Sequence, residues 1–134
     1  MSSDDLTTLC DHLDVRVRDL KAARSFYDAL CAALGLTEID VGSPWIVYEA
    51  PSKTGPFLAI TSDPEFAPSR TRIAFGASSR KAVERIAEVA HTSGAVDFEA
   101  PHECPEYAEG YYAAFFSDAD GNRYEICFRP HSAE

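Results

Sequence analysis

Two stretches of the chain place chemically versatile side chains on a shared strand face. In the first, His12, Asp14 and Arg16 alternate with Leu13, Val15 and Val17, the period of a half-buried strand. Cys10 and Asp14, two residues either side of His12, therefore share its face. In the second, Cys127 lies two residues beyond Glu125. Imidazole and carboxylate are donors for divalent metals and serve as acids or bases. Cys127 near His12 could form a thiolate–imidazole pair. A buried strand cysteine is also simply a small inert hydrophobe, and no third group is evident to orient such a pair.

The same alternation outlines a pocket. Ala59, Ala74 and Gly76 put minimal side chains on an inward face, while Trp45, Phe57 and Tyr111 offer flat apolar surface. Arg72 adds a cation that is always charged and has no lone pair to give. Aromatic walls around one guanidinium suit a planar or carboxylate-bearing small molecule, held by stacking and a forked hydrogen bond. Ordinary core packing would account for the same aromatics.

Other sites are narrowed by composition. A chain of 134 residues with 46% hydrophobic content fits one globular domain spanning 1–134. Cys10, Cys31, Cys104 and Cys127 form no Cys-x-x-Cys spacing, which argues against a zinc ribbon and against a disulfide framework. A formal charge of −10 would repel phosphate backbones, so nucleic acid is not an expected partner. No apolar stretch reaches the ~20 residues needed to cross a bilayer, and Met1-Ser2-Ser3-Asp4-Asp5 is not a basic leader. A soluble cytoplasmic protein is the expectation.

The elements that must carry these residues occur in two similar halves, module one over about 8–62 and module two over about 70–130. After the strand at His12, Asp19 can cap a helix presenting Leu20, Ala23, Tyr27, Leu30 and Leu34 until Gly35 stops it. Three strands follow, at Leu36 to Val41, Trp45 to Glu49 and Phe57 to Thr61, divided by Gly/Pro/Ser-rich turns. The order repeats from Arg72: a strand, a helix from Ser79 towards Gly94 presenting Val83, Ile86 and Ala90, and strands at Val96 to Phe98, Tyr111 to Ser117 and Asn122 to Phe128. Between Pro101 and Gly110 lies the longest expected irregular stretch, with His102, Cys104 and Tyr107, placed to rim a cleft. His91 falls near a helix C-terminus and His131 in a tail free to fray.

These residues carry a family resemblance. Asp11-His12-Leu-Asp-Val-Arg-Val, then Asp19-Leu20 and Ser25-Phe26-Tyr27, is similar to the opening strand and helix of vicinal oxygen chelate proteins, the glyoxalase, bleomycin-resistance and extradiol-dioxygenase group. Ala113-Ala-Phe-Phe-Ser-Asp118-Ala-Asp120-Gly121-Asn122-Arg-Tyr-Glu125 resembles that group's closing hairpin. The resemblance implies an α+β fold of two βαβββ modules, their strands curling into an open, barrel-like mixed sheet around a cleft, in a homodimer.

It also implies that the cleft positions used for chemistry fall at His12, Ala59, Arg72 and Glu125. Only His12 and Glu125 are metal ligands, for zinc, nickel, manganese or iron. Arg72 cannot complete the set and would repel a divalent cation; the expected alternative is a bidentate Arg72–Glu125 salt bridge filling the place of a metal. His102 or Glu103 could supply a weak further ligand. The leading expectation is a metal-free, cofactor-free small-molecule-binding protein of the glyoxalase/bleomycin-resistance type, with Arg72, Trp45, Phe57, Tyr111 and Cys127 at its ligand site. A first alternative is a metal-dependent lyase, lactoylglutathione-lyase-like, or dioxygenase using His12 and Glu125. A second is a metal-independent enzyme with Glu125 or His12 as acid or base and Arg72 as electrostatic stabiliser.

Overall fold

A computed structural model describes residues 8–130; His131 lies outside the described residues. The chain runs β1 (His12–Val17), α1 (Leu20–Ala33), β2 (Glu38–Val41), β3 (Trp45–Glu49) and β4 (Phe57–Ser62). It then repeats that order as β5 (Arg72–Gly76), α2 (Arg80–Thr92), β6 (Val96–Glu103), β7 (Tyr112–Ser117) and β8 (Arg123–Phe128). Both helices start where a side chain can satisfy the free amides of a first turn. Asp19 accepts from the amides of Lys21 and Ala22, and Ser79 from that of Ala82. Leu34 closes α1 and is followed by Gly35 at φ 89°, a left-handed conformation that glycine adopts without a Cβ clash.

Each module forms a four-stranded mixed sheet, in the orders β1-β4-β3-β2 and β5-β8-β7-β6. The outer strand of each module's start, β1 or β5, runs parallel to that module's last strand; the other neighbours are antiparallel. The architecture is the α+β arrangement of two βαβββ units expected from the resemblance, and the two sheets are not closed on each other. Val15, Val17, Tyr48, Leu58, Ile60, Ala114, Phe116, Tyr124 and Ile126 turn one face of the sheets onto Phe26, Tyr27, Leu30, Val83, Ile86 and Ala90 of the helices. Full burial of a Leu or Ile such as Leu30 or Ile60 contributes about 1.5–3 kcal/mol. By pleat parity the opposite, helix-free face of each sheet carries the polar and aromatic residues singled out above.

The expected boundaries shift by one or two residues at β2, β7 and β8 and most at β6. β6 continues from Val96 to Glu103, so Pro101 and His102 are strand, and the irregular stretch shortens to 104–111. Two irregularities, between Val96 and Glu99 and between Glu99 and His102, break the alternation that a sequence period would reveal. Asp97 sits at the first with φ 51°.

The modules are tied at the β7–β8 turn. Asp118, almost completely buried, accepts hydrogen bonds from the Tyr27 hydroxyl of α1, the Asn122 side chain and the amides of Asp120 and Asn122. Tyr27 and Tyr124 share a further hydrogen bond of 2.7 Å. Asn122 donates to the Arg16 carbonyl of β1, and Arg18 pairs with Asp120. Gly121, at φ 93°, lies where an added Cβ would meet Pro68 Cγ at 2.9 Å, so the inter-module segment packs on the turn. Burial, with Tyr124 and Asp118 adding to it, pushes the Tyr27 phenol well above its ordinary range, and Tyr27 stays a donor. Asp118→Ala should strand these buried donors and lower stability by about 2 to 4 kcal/mol, read from a urea melt; a loss under about 1 kcal/mol would mean that the network is replaced by water at no cost.

Candidate functional site

Because residues directly opposite across strands point the same way, the pairing registers convert the helix-free faces into ordered rows. On the first sheet the rows are His12-Phe57, Asp14-Ala59-Val47-Asp40 and Arg16-Thr61-Trp45. The His12 and Phe57 rings stack at 4.7 Å, and His12 Nδ1 lies 2.7 Å from Asp11. Thr61 donates to Asp14 at 2.6 Å, and Arg16 also pairs with Asp14. Trp45, with 54% of its surface exposed, stands uncovered beside them. His12, Asp14, Trp45, Val47, Phe57, Ala59 and Thr61 line a shallow cavity of about 320 Å³.

The second sheet carries a different chemistry in three rows: Ser117-Arg123-Arg72, Glu99-Phe115-Glu125-Ala74, and His102-Ala113-Cys127-Gly76. Glu125 is 7% exposed and accepts a short hydrogen bond from the Tyr111 hydroxyl. Burial first, then hydrogen bonding with Glu125 and Cys127, pushes the Tyr111 phenol above its ordinary range. Tyr111 therefore remains a neutral donor at physiological pH. The Arg72 guanidinium lies 4.9 Å from the centre of the Phe115 ring, a cation–π placement. The His102 ring rests on the same phenylalanine at 5.9 Å and its Nδ1 is 2.8 Å from the Ala100 carbonyl. A carbonyl only accepts, so the proton sits on Nδ1 and leaves Nε2 with a lone pair in the neutral ring.

Arg72, Glu125 and Cys127 thus come together on one sheet, with Tyr111, just before β7, bonded to Glu125. His12, Trp45, Phe57 and Ala59 come together on the other. Phe57 and Arg72 both border a cavity of about 760 Å³ walled by Leu13, Leu36, Leu58, Ile73 and Phe75. The expected Arg72–Glu125 salt bridge does not form. Arg72 is opposite Arg123, Glu125 is opposite Ala74 one pleat on, and Tyr111 occupies the carboxylate. The suggested Cys127–His12 pair is also not made: Cys127 is on the second sheet beside Tyr111, and His12 is engaged by Asp11 and Phe57. Glu103, the possible extra ligand, forks with Arg80 instead.

The donor set of one chain does not fit a chelated divalent metal. His12 and Glu125 stand on different sheets, and among the described residues no group of three or more His, Cys, Asp or Glu is placed to hold an ion. Residues that sequence reasoning did not single out are Phe115, Ser117, Arg123, Asp97 and Glu99. The first three share the parity of Glu125 and Ala113 and were legible in principle; the last two depend on the β6 irregularities. His91, by contrast, caps nothing catalytic and stacks on Phe98 at 4.1 Å.

The Glyoxalase/Bleomycin resistance protein/Dioxygenase superfamily model matches residues 9–126. A glyoxalase/bleomycin resistance protein from Albidiferax ferrireducens T118 superposes with TM-score 0.77 at 23% identity, covering 92% of this chain and 100% of that one. A glyoxalase-related enzyme from Fulvimarina pelagi gives 0.70 at 19%, covering 96% and 94%. The fosfomycin resistance protein FosX from Mesorhizobium loti gives 0.66 at 18%, covering 93% and 95%. No functionally curated protein matches the sequence. At these identities the structures establish the shared fold.

Two outcomes follow from the site geometry. Removal of an exposed guanidinium that rests on a ring should cost little, so Arg72→Ala should lower stability by no more than about 1 kcal/mol in a thermal melt; a loss above about 2 kcal/mol would reinstate a buried ion pair. Cys31 and Cys104 are buried, Cys10 and Cys127 partly exposed. Burial, with Asp28 adding to it, pushes the Cys31 thiol up to about 12. A thiol-specific chromogenic reagent near neutral pH should therefore react rapidly with two of the four cysteines and with all four only after unfolding; four rapid thiols would contradict the packing.

Proposed function

We propose that this chain, which belongs to the glyoxalase/bleomycin resistance protein/dioxygenase superfamily, binds a small aromatic or carboxylate-bearing molecule on the helix-free face of its second sheet. The observation that carries the reading is the Arg72 guanidinium: it lies on Phe115, in no ion pair among the described residues, one row from the Tyr111–Glu125 hydrogen bond. A planar fork of donors beside an aromatic ring suits a carboxylate attached to a flat group. In this reading no metal or cofactor is required, since the guanidinium supplies the positive charge. Similar structures that carry the name fosfomycin resistance protein support a small-molecule role for this fold. The ligand face is completed in a homodimer, where the uncovered Trp45, His12 and Phe57 of a second copy provide the facing wall; the 54% exposure of Trp45 supports this. No helix among the described residues is long and apolar enough to cross a membrane, and the cytoplasm is the proposed location.

A second reading rests on Tyr111. A carboxylate held by a neutral phenol, with a fixed cation in the next row, can take a proton from a bound ligand while Arg72 stabilises the charge that develops. Glu125 is the base in that case, and His12 belongs to the facing wall.

Calorimetric titration with 3-phenylpropanoate tests the binding reading. Saturable binding should weaken by about tenfold or more in Arg72→Ala, the loss of one charge-assisted contact, with the melting curve unchanged. Binding that is indifferent to Arg72, or near-stoichiometric metal in chelator-free protein that disappears in His12→Ala or Glu125→Ala, would overturn it.

A further inference from the structure

Next to the Tyr111–Glu125 pair lies a cavity of about 230 Å³ bordered by Arg72, Arg123, Asp97, Glu99, Phe115 and Ser117. Two cations and two carboxylates thus surround a single small space. Among the described residues none of the four belongs to an ion pair within 4.0 Å or to a side-chain hydrogen bond. The two arginines are direct cross-strand partners on one face, an arrangement in which like charges repel. Ser117, buried and paired with Arg123 in the same row, adds a hydroxyl. On the opposite side β6 departs from regular pairing at both flanks of Glu99, and Asp97 takes a left-handed conformation at φ 51°, which costs a non-glycine residue energy. The bulged strand thereby brings two carboxylates to the rim of the arginine pair without neutralising it.

We infer that this cavity takes a small zwitterion, a molecule with a carboxylate or similar anion a few bonds from an ammonium, and selects it over singly charged analogues. The anion is held by Arg72 and Arg123 with the Ser117 hydroxyl. The ammonium is held by Asp97 and Glu99. A plain carboxylate would meet the two acids unpaired and an amine would meet the two arginines unpaired, so each analogue leaves a repulsive pair that the zwitterion relieves. Chain-wide charge of −10 favours cations in general; the paired arginines make this face accept an anion as well. The inference rests on the proposed ligand face around Arg72 and names the ligand class that the face takes.

Three probes of one size separate the ideas: L-phenylalanine, 3-phenylpropanoate and 2-phenylethylamine, titrated calorimetrically into the intact protein. L-Phenylalanine should bind about tenfold or more tighter than either analogue, the worth of one charge-assisted contact. Asp97→Asn combined with Glu99→Gln should bring L-phenylalanine down to the level of 3-phenylpropanoate and leave 3-phenylpropanoate no weaker; asparagine tolerates the left-handed backbone at 97, so the melting curve should hold. Arg123→Ala should weaken both carboxylates. If 3-phenylpropanoate binds in an Arg72-dependent way and L-phenylalanine is no tighter, the zwitterion inference is overturned while the ligand face stands. If neither binds, or binding ignores Arg72, both are overturned.

Discussion

The geometry of the second sheet depends on one buried carboxylate. Asp118 ends β7 and organises the turn into β8 through the amides of Asp120 and Asn122, and that turn sets the β7–β8 register. A slip of one residue would move Glu125 and Arg123 to the helix side and bring Tyr124 and Ile126 out. Asp118 also receives the Tyr27 hydroxyl from the first module's helix, while Asn122 and Asp120 reach Arg16 and Arg18 near β1. One cluster therefore fixes both the rows of the site and the relation of the two halves. Charge burial is tolerable here because every donor around the carboxylate is aimed at it.

From that register follows a division of chemistry between the two faces. On the first sheet Asp14 is taken by Thr61 and Arg16, and His12 by Asp11 and Phe57. On the helix-free face of the second sheet Glu125 is satisfied, by a phenol that burial keeps neutral. Arg72, Arg123, Asp97 and Glu99 are left facing a cavity. A surface that saturates its polar groups internally offers shape to a partner; one that leaves them unsatisfied offers specific pairing.

Much of this was legible from alternation and capping. Asp19 and Ser79 marked both helix starts, and odd or even position gave the face of nearly every strand residue, His12, Arg72 and Glu125 included. Pairing register was not legible, because alternation is silent on which rows align. Arg72 and Glu125 share a face, yet the parallel β5–β8 register sets Glu125 against Ala74, and Tyr111 claims the carboxylate that a salt bridge would have used. The length of β6 was hidden for a related reason. A bulge shifts the phase of the apolar pattern, so Pro101 and His102 read as loop although both lie in β6, where His102 pairs with Ala113 of β7. Arg123 and Ser117 went unnoticed because each has meaning only beside Arg72 in the folded row.

A guanidinium at a position where the family resemblance implies a metal ligand changes what the face can discriminate. A divalent ion offers open coordination sites and polarises any oxygen that reaches it. A guanidinium offers charge with direction but no coordination, and its donors lie in one plane. Phe115 lies 4.9 Å beneath the guanidinium carbon, and the neighbouring Arg123 raises the local positive potential without binding a competing cation. Recognition then turns on whether a ligand's own charges match a fixed pattern of donors and acceptors, with the carboxylates of β6 setting the penalty for a ligand that brings only an anion. The strained Asp97 backbone and the adjacent arginines both cost stability, and the Asp118 network together with the helix-side core supplies the margin that lets the fold retain them.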